Sequence, residues 1–255
     1  MHACVSLMHA SLSLDRSRPR VPTLYRSFFL TLSILCVCIA GRYAIHWHMV
    51  GNLRESYQRN VSVHHSWNRG VAIHGINYLR LHSNFAYQVM GHTFFIEDGP
   101  EEFNHLENNL AIKTIPSMNL LNTDQTPAGF WIVSGANFIL GNHAVASRRY
   151  GMWFRPEMAA TGTSFNTPDV HPINIPVLEF RGNQAHSNGK YGLRVFDLYK
   201  PNAPSVIRDL FVWRNGKVGW TATGTIFAAF TTPTLSCLQH LYLVSTKIPV
   251  SVYMY

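Results

Sequence analysis

The sequence predicts an all-β protein built as a right-handed parallel β-helix, a solenoid with inserted loops, and three observations favour this fold. Short apolar segments alternate with polar residues, and Gly, Asn and Pro interrupt them about every 8 to 12 residues. No apolar stripe with the helical period of about 3.6 residues extends over the length of a helix. Residues 142–154 and 183–195 place Asn, Ala, Tyr and Gly at identical offsets, with shorter echoes at 84–86 and 109–111. Such repetition is typical of stacked units, none of which can bury its apolar face alone.

The repeated asparagines favour a solenoid over the sandwich or barrel that short strands also suit. A sandwich has no reason to repeat four residue types at the same offsets. In a solenoid, the Asn side chains are expected to stack as a hydrogen-bonded ladder at one corner, where Gly supplies a positive φ. The uneven spacing of the ladder residues predicts inserted loops, notably over 113–128 and 155–176. The expected ladder consists of Asn84, Asn109, Asn142 and Asn183.

The N-terminal region has the pattern of a secretory signal. Residues 16–26 are basic, residues 27–40 are apolar, and small residues follow at 40 and 41. Fourteen helical residues span about 21 Å, which is short of the roughly 30 Å hydrocarbon core. We therefore expect residues 1–40 to be a signal-peptide-like segment; an uncleaved anchor and a non-homologous segment are the alternatives. Residues 41–231 are expected to form the β-helix, and residues 232–255 stay unassigned.

Charge and cysteine content argue against several classes of protein. The chain of 255 residues has a formal net charge of +8, but half of it lies in residues 1–42 and the rest is dispersed. Nucleic acid is therefore not expected as a partner, since it requires a basic patch or stripe. The four cysteines are too scattered to predict a disulfide framework or a zinc ribbon. Asn60 begins the sequon Asn-Val-Ser and is the predicted glycosylation site, consistent with a secreted or cell-surface location.

The histidines suggest a candidate site. His46, His64 and His82 recur at one constant interval along the chain, and the same interval separates His74 from His92. If one coil of the solenoid matches that interval, these side chains stack in two columns. His46 and His48 also share one face of a strand. Such groups could ligate a divalent cation, which is the only expected cofactor, or act in acid–base chemistry. The predicted metal ligands are His46, His48 and His64. The alternative is a polar ladder outside the solenoid.

Two neighbouring acids, Glu97 and Asp98, suggest glycoside hydrolysis, which uses a pair of carboxyl groups. Adjacent strand residues point to opposite faces, so the two are not expected to share a site unless the turn at Gly99 rotates one of them. Asp98 is the acid expected near the histidines, with Glu101 or Asp124 as its partner. Capping of a strand end is the alternative role.

Arginines and aromatic residues are candidates for binding an acidic glycan. Guanidinium groups pair with uronate carboxylates, and aromatic rings stack on sugar faces. Most Trp side chains are expected in the core, so the Arg pair in a corner is the stronger candidate. The predicted ligand-binding residues are Arg148, Arg149, Trp153 and Arg155, with Trp67, Arg69 and Arg80 as weaker candidates.

Several motifs resemble one family of extracellular β-helices. Residues 41–48 read Gly-Arg-Tyr-Ala-Ile-His-Trp-His and resemble the family element GRYPIHFH, with Ala44 at the usual Pro position. Segments 60–75, 91–99, 126–131 and 150–155 extend the similarity, which covers about residues 41–231. The family includes fibrocystin-L, the cell surface hyaluronidase also called transmembrane protein 2, and the cell migration-inducing hyaluronan-binding protein. The Tyr-Gly turns are most similar to those of the fibrocystin-L branch.

The resemblance implies two functions of different classes. The first is a non-enzymatic extracellular or cell-surface module that acts as a receptor or matrix component and binds hyaluronan or another acidic glycan. The second is a hyaluronan-degrading hydrolase, for which the chemical residues would be His46, His48, His92 and Asp98. A pectate-lyase-like enzyme has only the analogy of fold in its favour. The match begins inside a solenoid, so the chain is expected to be a fragment, with membrane association through other parts or an uncleaved anchor.

Overall fold

The chain folds as a right-handed parallel β-helix with three faces, as the sequence predicted. The computed structural model describes residues 30–33, 43–118, 122–167, 169–196, 198–216, 218–221 and 250–254. Each rung contributes one strand to each face in a fixed order. Sheet I comprises Ile45–Asn52 (β2), Val71–Asn77 (β5), Phe94–Ile96 (β8), Ala128–Ile132 (β11), Tyr150–Phe154 (β14), Tyr191–Val195 (β17) and Val218–Thr221 (β19).

Sheets II and III form the other two faces, so that the β-helix has the shape of a three-sided prism. Sheet II comprises Tyr57–Arg59 (β3), Arg80–His82 (β6), His105–Glu107 (β9), Phe138–Leu140 (β12), Glu179–Arg181 (β15) and the first part of Ser205–Trp213 (β18), with Val250–Met254 (β20) antiparallel to β18. Sheet III comprises Leu30–Ser33 (β1), Val61–His64 (β4), Phe85–Tyr87 (β7), Leu110–Ile112 (β10), His143–Val145 (β13), Gln184–His186 (β16) and the second part of β18.

The predicted asparagine ladder is confirmed at the corner between sheets II and III. Asn84, Asn109, Asn142 and Asn183 are separated by 25, 33 and 41 residues, yet each of the first three donates its side-chain Nδ2 to Oδ1 of the next at 2.9–3.2 Å. The same Oδ1 also accepts the backbone N–H of the preceding ladder residue. Each buried amide therefore has its partners inside the wall, which removes the cost of burying it unpaired.

Glycine has two roles in the repeat. Gly141 and Gly182, which precede two ladder residues, have φ of 62° and 67°, so glycine does supply positive φ at this corner. Gly151 of the repeated tetrad instead lies in a strand, where a Cβ would come within 2.6 Å of the Gly192 carbonyl oxygen. There glycine allows two rungs of sheet I to approach each other closely.

The core fills the inside of the prism with inward-facing residues from successive rungs. Phe94 and Phe130 stack with their ring centroids 4.8 Å apart. Opposite them, Ala86, Ala111, Ala144 and Ala185 form a fully buried column on sheet III. Small residues on one face leave room for the large ones on another, as close packing of the interior requires.

Loops leave the prism where the sequence predicted them. Segment 113–128 contains the 3₁₀ helix Asn122–Gln125, and segment 155–176 contains the 3₁₀ helices Gly162–Asn166 and Pro172–Asn174. The second loop returns to the outside of sheet I, where it contacts the N-terminal rungs. In the described part of the chain, no helix is both long and apolar enough to cross a membrane.

Candidate functional site

Three histidines meet on the outer face of sheet I at its N-terminal end. Strand alternation places His46 and His48 on the outside of β2, and the parallel register sets His48 beside His74 of β5. Candidate ligand atoms of the three rings all lie within 4.8 Å of one another. The ring centroids are 4.7 to 5.8 Å apart.

The predicted columns of equally spaced histidines are wrong. The register of sheet I pairs Ile45 with Val71 and Val71 with Phe94, so both of the first two coils are longer than the interval between the histidines. His64 therefore lies in sheet III, and His82 lies in sheet II. Neither lies in the group of three, in which His74 accompanies His46 and His48.

His92, the third predicted catalytic histidine, lies inside the wall. It is 0% exposed, and its ring contacts Phe95 and Trp131. Its Nδ1 accepts the backbone N–H of Ala128 at 3.1 Å. Burial, together with the nearby Arg69 and Arg155, lowers its pKa well below the ordinary value. A neutral, buried ring in this position shapes the wall beneath the site.

The two neighbouring acids both reach His74, which is the exception that the sequence allowed if the turn at Gly99 rotated one of them. Glu97 Oε2 lies 3.6 Å from His74 Nδ1, and Asp98 Oδ2 lies 2.9 Å from His74 Nε2. Strand β8 ends at Ile96, so strict alternation no longer applies to the residues after it. Gly99, with φ of 111°, continues the turn that brings both carboxylates to one ring. We call His46, His48, His74, Glu97 and Asp98 the histidine–acid cluster.

The loop 155–176 covers one side of this cluster. Thr163 Oγ1 lies 2.7 Å from His74 Nε2, and the backbone N–H of Ser164 donates to Asp98 Oδ2 at 3.0 Å. Burial disfavours protonated His74, but its hydrogen bond to Asp98 and the charges of Glu97, Asp98 and Glu101 outweigh that effect and raise its pKa. Burial raises the pKa of Asp98, but the contacts with His74 and Ser164 outweigh it and leave the pKa below the ordinary value.

The other two acids proposed as partners have structural positions. Glu101 is 0% exposed and accepts the backbone N–H groups of Gly75, Asp98 and Gly99, and burial raises its pKa. Asp124 lies 3.2 Å from the guanidinium of Arg69, which is itself 1% exposed. Glu101 therefore holds the turn after β8, and Asp124 balances a buried cation.

The buried arginine connects the cluster to the wall. Arg69 Nη1 lies 3.4 Å from Glu97 Oε1 and donates to the Tyr43 hydroxyl at 2.7 Å. Its guanidinium also lies 3.7 Å from the ring centroid of Phe95. Burial is the main cause that raises the pKa of Tyr43 to about 12, while Arg69 opposes it. Arg69 is thus a buried support for Glu97, and it is not the exposed sugar ligand considered from the sequence.

The predicted arginine pair lies at the opposite end of the molecule, on the corner between sheets III and I. Arg148 and Arg149 are exposed, and the Arg149 carbonyl accepts the backbone N–H of Lys190 on the next rung. Arg214 is exposed at the same corner one rung further. Among the described residues, none of these four cations pairs with a carboxylate. We call them the cationic corner.

The other two predicted ligand-binding residues lie beside this corner on sheet I. Trp153 is only 6% exposed, so its ring cannot stack on a sugar; it lies beneath the guanidinium groups of Arg194, at 4.9 Å, and Arg155, at 5.7 Å. Arg155 is partly neutralised by Glu157 at 3.1 Å. Trp153 is therefore a support that positions arginines through cation–π contact. Asn60, the predicted glycosylation site, is half-buried at the II–III corner with φ of 55°.

Sequence reasoning missed four members of these two groups: His74, Glu97, Lys190 and Arg214. The sequence does contain a pattern that predicts the position of His74. Aligning the apolar pair Ile45 and Trp47 with Val71 and Ile73 places His48 opposite His74 and implies a coil that runs from Ile45 to Val71. The convergence of Glu97 with Asp98 has no such signal, because it depends on where β8 ends.

Comparison with known proteins agrees with the fold. The family profile described as CEMIP beta-helix matches residues 36–193, which is more than half of the chain. Mouse fibrocystin-L is 37% identical over 198 residues, covering 73% of this chain. The human cell migration-inducing and hyaluronan-binding protein is 27% identical over 74% of the chain, and human cell surface hyaluronidase CEMIP2 is 30% identical over 60%.

These relatives are far longer than the region they share with this chain. The matched region spans 5% of mouse fibrocystin-L, 18% of the hyaluronan-binding protein and 13% of the cell surface hyaluronidase. The comparison therefore concerns one β-helix module within each of these proteins.

Proposed function

The chain belongs to the CEMIP beta-helix family, and from this membership and the charge distribution we propose that it is an extracellular or cell-surface module that binds an acidic glycan through its cationic corner. Hyaluronan is the glycan to test first, because the names of two relatives refer to it. The observation that supports the proposal is the row of cations without carboxylate partners at Arg148, Arg149, Lys190 and Arg214.

The corner has the chemistry that a polyanion requires. Arg148 and Arg149 lie on one rung and Lys190 on the next, and the register sets Lys190 beside Arg149, so positive charge repeats there at the spacing of strands, about 4.8 Å. Arg214 lies one rung further, at the start of the same corner. Arginine donates paired hydrogen bonds to a carboxylate. A glycan chain lying along the axis can therefore meet several cations at once.

The neighbouring face of sheet I extends this surface. Arg194 donates from Nη1 to the Tyr150 hydroxyl at 3.1 Å, and Lys190 lies 5.3 Å from the ring centroid of Tyr191. These contacts hold long basic side chains in place before a ligand arrives, which reduces the entropy lost on binding.

The test is a binding titration of the chain with hyaluronan oligosaccharides of defined length. The double variant Arg148→Ala/Arg149→Ala is expected to bind at least 10-fold more weakly, since each charge-assisted contact contributes about 1.5–3 kcal/mol. The matched control, Arg59→Ala/Arg208→Ala, removes two exposed arginines from sheet II and should change the affinity less than 2-fold. Equal losses of affinity in the two double variants would show that only the net charge matters, and would contradict the proposed site.

Glycan hydrolysis is a second candidate, and it is favoured by one observation: two carboxylates converge on one histidine in the histidine–acid cluster. Asp98 and Glu97 lie on opposite nitrogens of His74, which is an arrangement that could move a proton. The assay is depolymerisation of labelled hyaluronan by the folded chain, with and without a chelator. Loss of chain shortening in Asp98→Asn, with retained binding at the cationic corner, would support this activity. No shortening by the folded parent chain would exclude it.

A further inference from the structure

The starting point is a buried carboxylate oxygen that accepts no hydrogen bond among the described residues. Oε2 of Glu97 is in this state, whereas Oε1 of the same group has Arg69 and Tyr43 beside it. An unsatisfied buried carboxylate oxygen is costly, and each such atom in a native protein needs an explanation, of which an ion is one.

The surroundings of this oxygen are histidine nitrogens. Oε2 lies 3.6 Å from His74 Nδ1 and 3.9 Å from His46 Nε2. Two ligand atoms bound to one Zn²⁺ at about 2.0–2.2 Å in tetrahedral geometry are about 3.3–3.5 Å apart. The observed separations exceed this by only a few tenths of an ångström. His48 is exposed on the same face, and a ligand nitrogen of its ring lies within 4.8 Å of those of His46 and His74.

The ring of His74 is already oriented for this purpose. Its Nε2 faces Asp98 Oδ2 at 2.9 Å, so a metal-bound ring would keep its proton on Nε2 and offer Nδ1, which lies on the side of Glu97, to the ion. A carboxylate that holds the far nitrogen of a histidine is the usual second partner of a metal-bound imidazole. Asp98 is in turn fixed by the backbone N–H of Ser164, so the loop 155–176 supports this orientation.

We propose that His46, His48, His74 and Glu97 bind one Zn²⁺ ion, with three imidazole nitrogens and Glu97 Oε2 as ligands and Asp98 as the positioning residue for His74. Imidazole with one carboxylate suits Zn²⁺ and related transition ions, whereas Ca²⁺ and Mg²⁺ prefer oxygen ligands. The ion joins the first three rungs, because its ligands lie on β2, on β5 and just after β8. The site is independent of glycan binding at the cationic corner.

The test is a Zn²⁺ titration of the full chain after removal of metal, in competition with a chromophoric chelator, with Co²⁺ absorption as a spectroscopic measure of coordination. We expect one ion per chain and a rise in the midpoint of thermal unfolding. The double variant His46→Gln/His48→Gln should lose at least 100-fold in affinity, and Glu97→Gln about 10-fold. Asp98→Asn should lose about 10- to 100-fold, as removal of second partners typically does.

A matched control separates the site from general histidine content. The pair His143 and His186 lies on adjacent rungs of sheet III with ring centroids 4.9 Å apart, and its double Gln variant should keep the affinity of the parent. His46 and His48 are exposed, so their substitution should leave the circular dichroism and the unfolding midpoint in chelator unchanged. The proposal would be overturned by any of three results: no Zn²⁺ binding, binding of more than one ion per chain without saturation, or an equal loss of affinity in both double variants.

Discussion

Two groups of stacked histidines, one at each end of the β-helix, have opposite surroundings. His46, His48 and His74 lie on sheet I beside Glu97 and Asp98. The second group lies on sheet III, where His143 and His186 are neighbours on successive rungs and Trp213 stacks on His186 with centroids 4.2 Å apart. Both groups arise from the same geometry, in which parallel register repeats a side chain at the strand spacing.

Their electrostatics differ because their neighbours differ. Acids beside His74 raise its pKa even though burial opposes the charge. On sheet III, burial and then His186 lower the pKa of His143, and burial and then Arg214 lower the pKa of His186. The surroundings of the first group therefore favour a positive charge, and those of the second oppose one. Stacked histidines on a solenoid become a candidate site only where an adjacent rung supplies acids.

Among the changes in stability predicted for the two groups, the greatest loss is expected when the buried Asp98 of the first group is replaced. Asp98→Ala should lower the free energy of unfolding by about 3 kcal/mol, because it leaves a buried polar partner unsatisfied and releases the loop 155–176. Urea denaturation in the presence of a chelator measures this. Glu179, a partly exposed acid that pairs with the exposed Arg181, should change the value by less than about 0.5 kcal/mol when it is replaced by Ala. A loss for Asp98→Ala no larger than this control would show that the acid does not anchor the loop.

A smaller effect is expected when the second group loses its aromatic partner. Trp213→Ala should cost about 1 kcal/mol, since it removes a stacked ring that is half-buried. Trp67→Ala is the control, because Trp67 is 48% exposed and should contribute much less. The same denaturation experiment compares the two. Zn²⁺ affinity should be identical in both variants. A loss of affinity specific to Trp213→Ala would show that the second group of histidines also takes part in metal binding.

The third prediction concerns the pH dependence of the unfolding free energy, in which His143 and His186 are expected to have a small effect. The folded-state pKa values of His143 and His186 are lowered, so below about pH 6.5 the unfolded chain takes up protons that the folded chain resists. Their contribution to stability is therefore present above that pH and is lost as the pH falls through the folded values. In chelator, His143→Gln/His186→Gln should flatten the decline of stability on the acid side. An unchanged slope would contradict the lowered pKa values.

Much of the architecture could be predicted because it depends on local pattern. Alternation of apolar and polar residues indicated an all-β chain of short strands, and the observed strands are 3 to 9 residues long. The repeat of Asn, Ala, Tyr and Gly identified a solenoid, since each residue type has a distinct task in every rung: Asn142 bonds within the corner, Ala144 packs inside, and Gly151 allows close approach. The exposed pair Arg148 and Arg149 was also found, because a turn between strands leaves long basic side chains in solvent.

The candidate site could be predicted only in part. His46 and His48 were found because they alternate on one strand, whereas their partner His74 depends on the length of the first coil, which no single interval between histidines reveals. The aromatic candidate Trp153 failed as a sugar-stacking residue because Arg155 of its own rung and Arg194 of the next rung cover it. The distinction is between contacts within a strand and contacts between rungs.

The sequence by itself determined the fold class, the asparagine ladder and the positions of the inserted loops, because these follow from periodicity and turn chemistry within a few residues. Only the tertiary structure decided which histidines meet and that Glu97 and Asp98 converge on His74. It also decided that Arg69 and His92 are buried. The physical reason is register: loops of unequal length separate the rungs, so the residues that become neighbours across them are set by hydrogen bonding between strands and not by spacing along the chain.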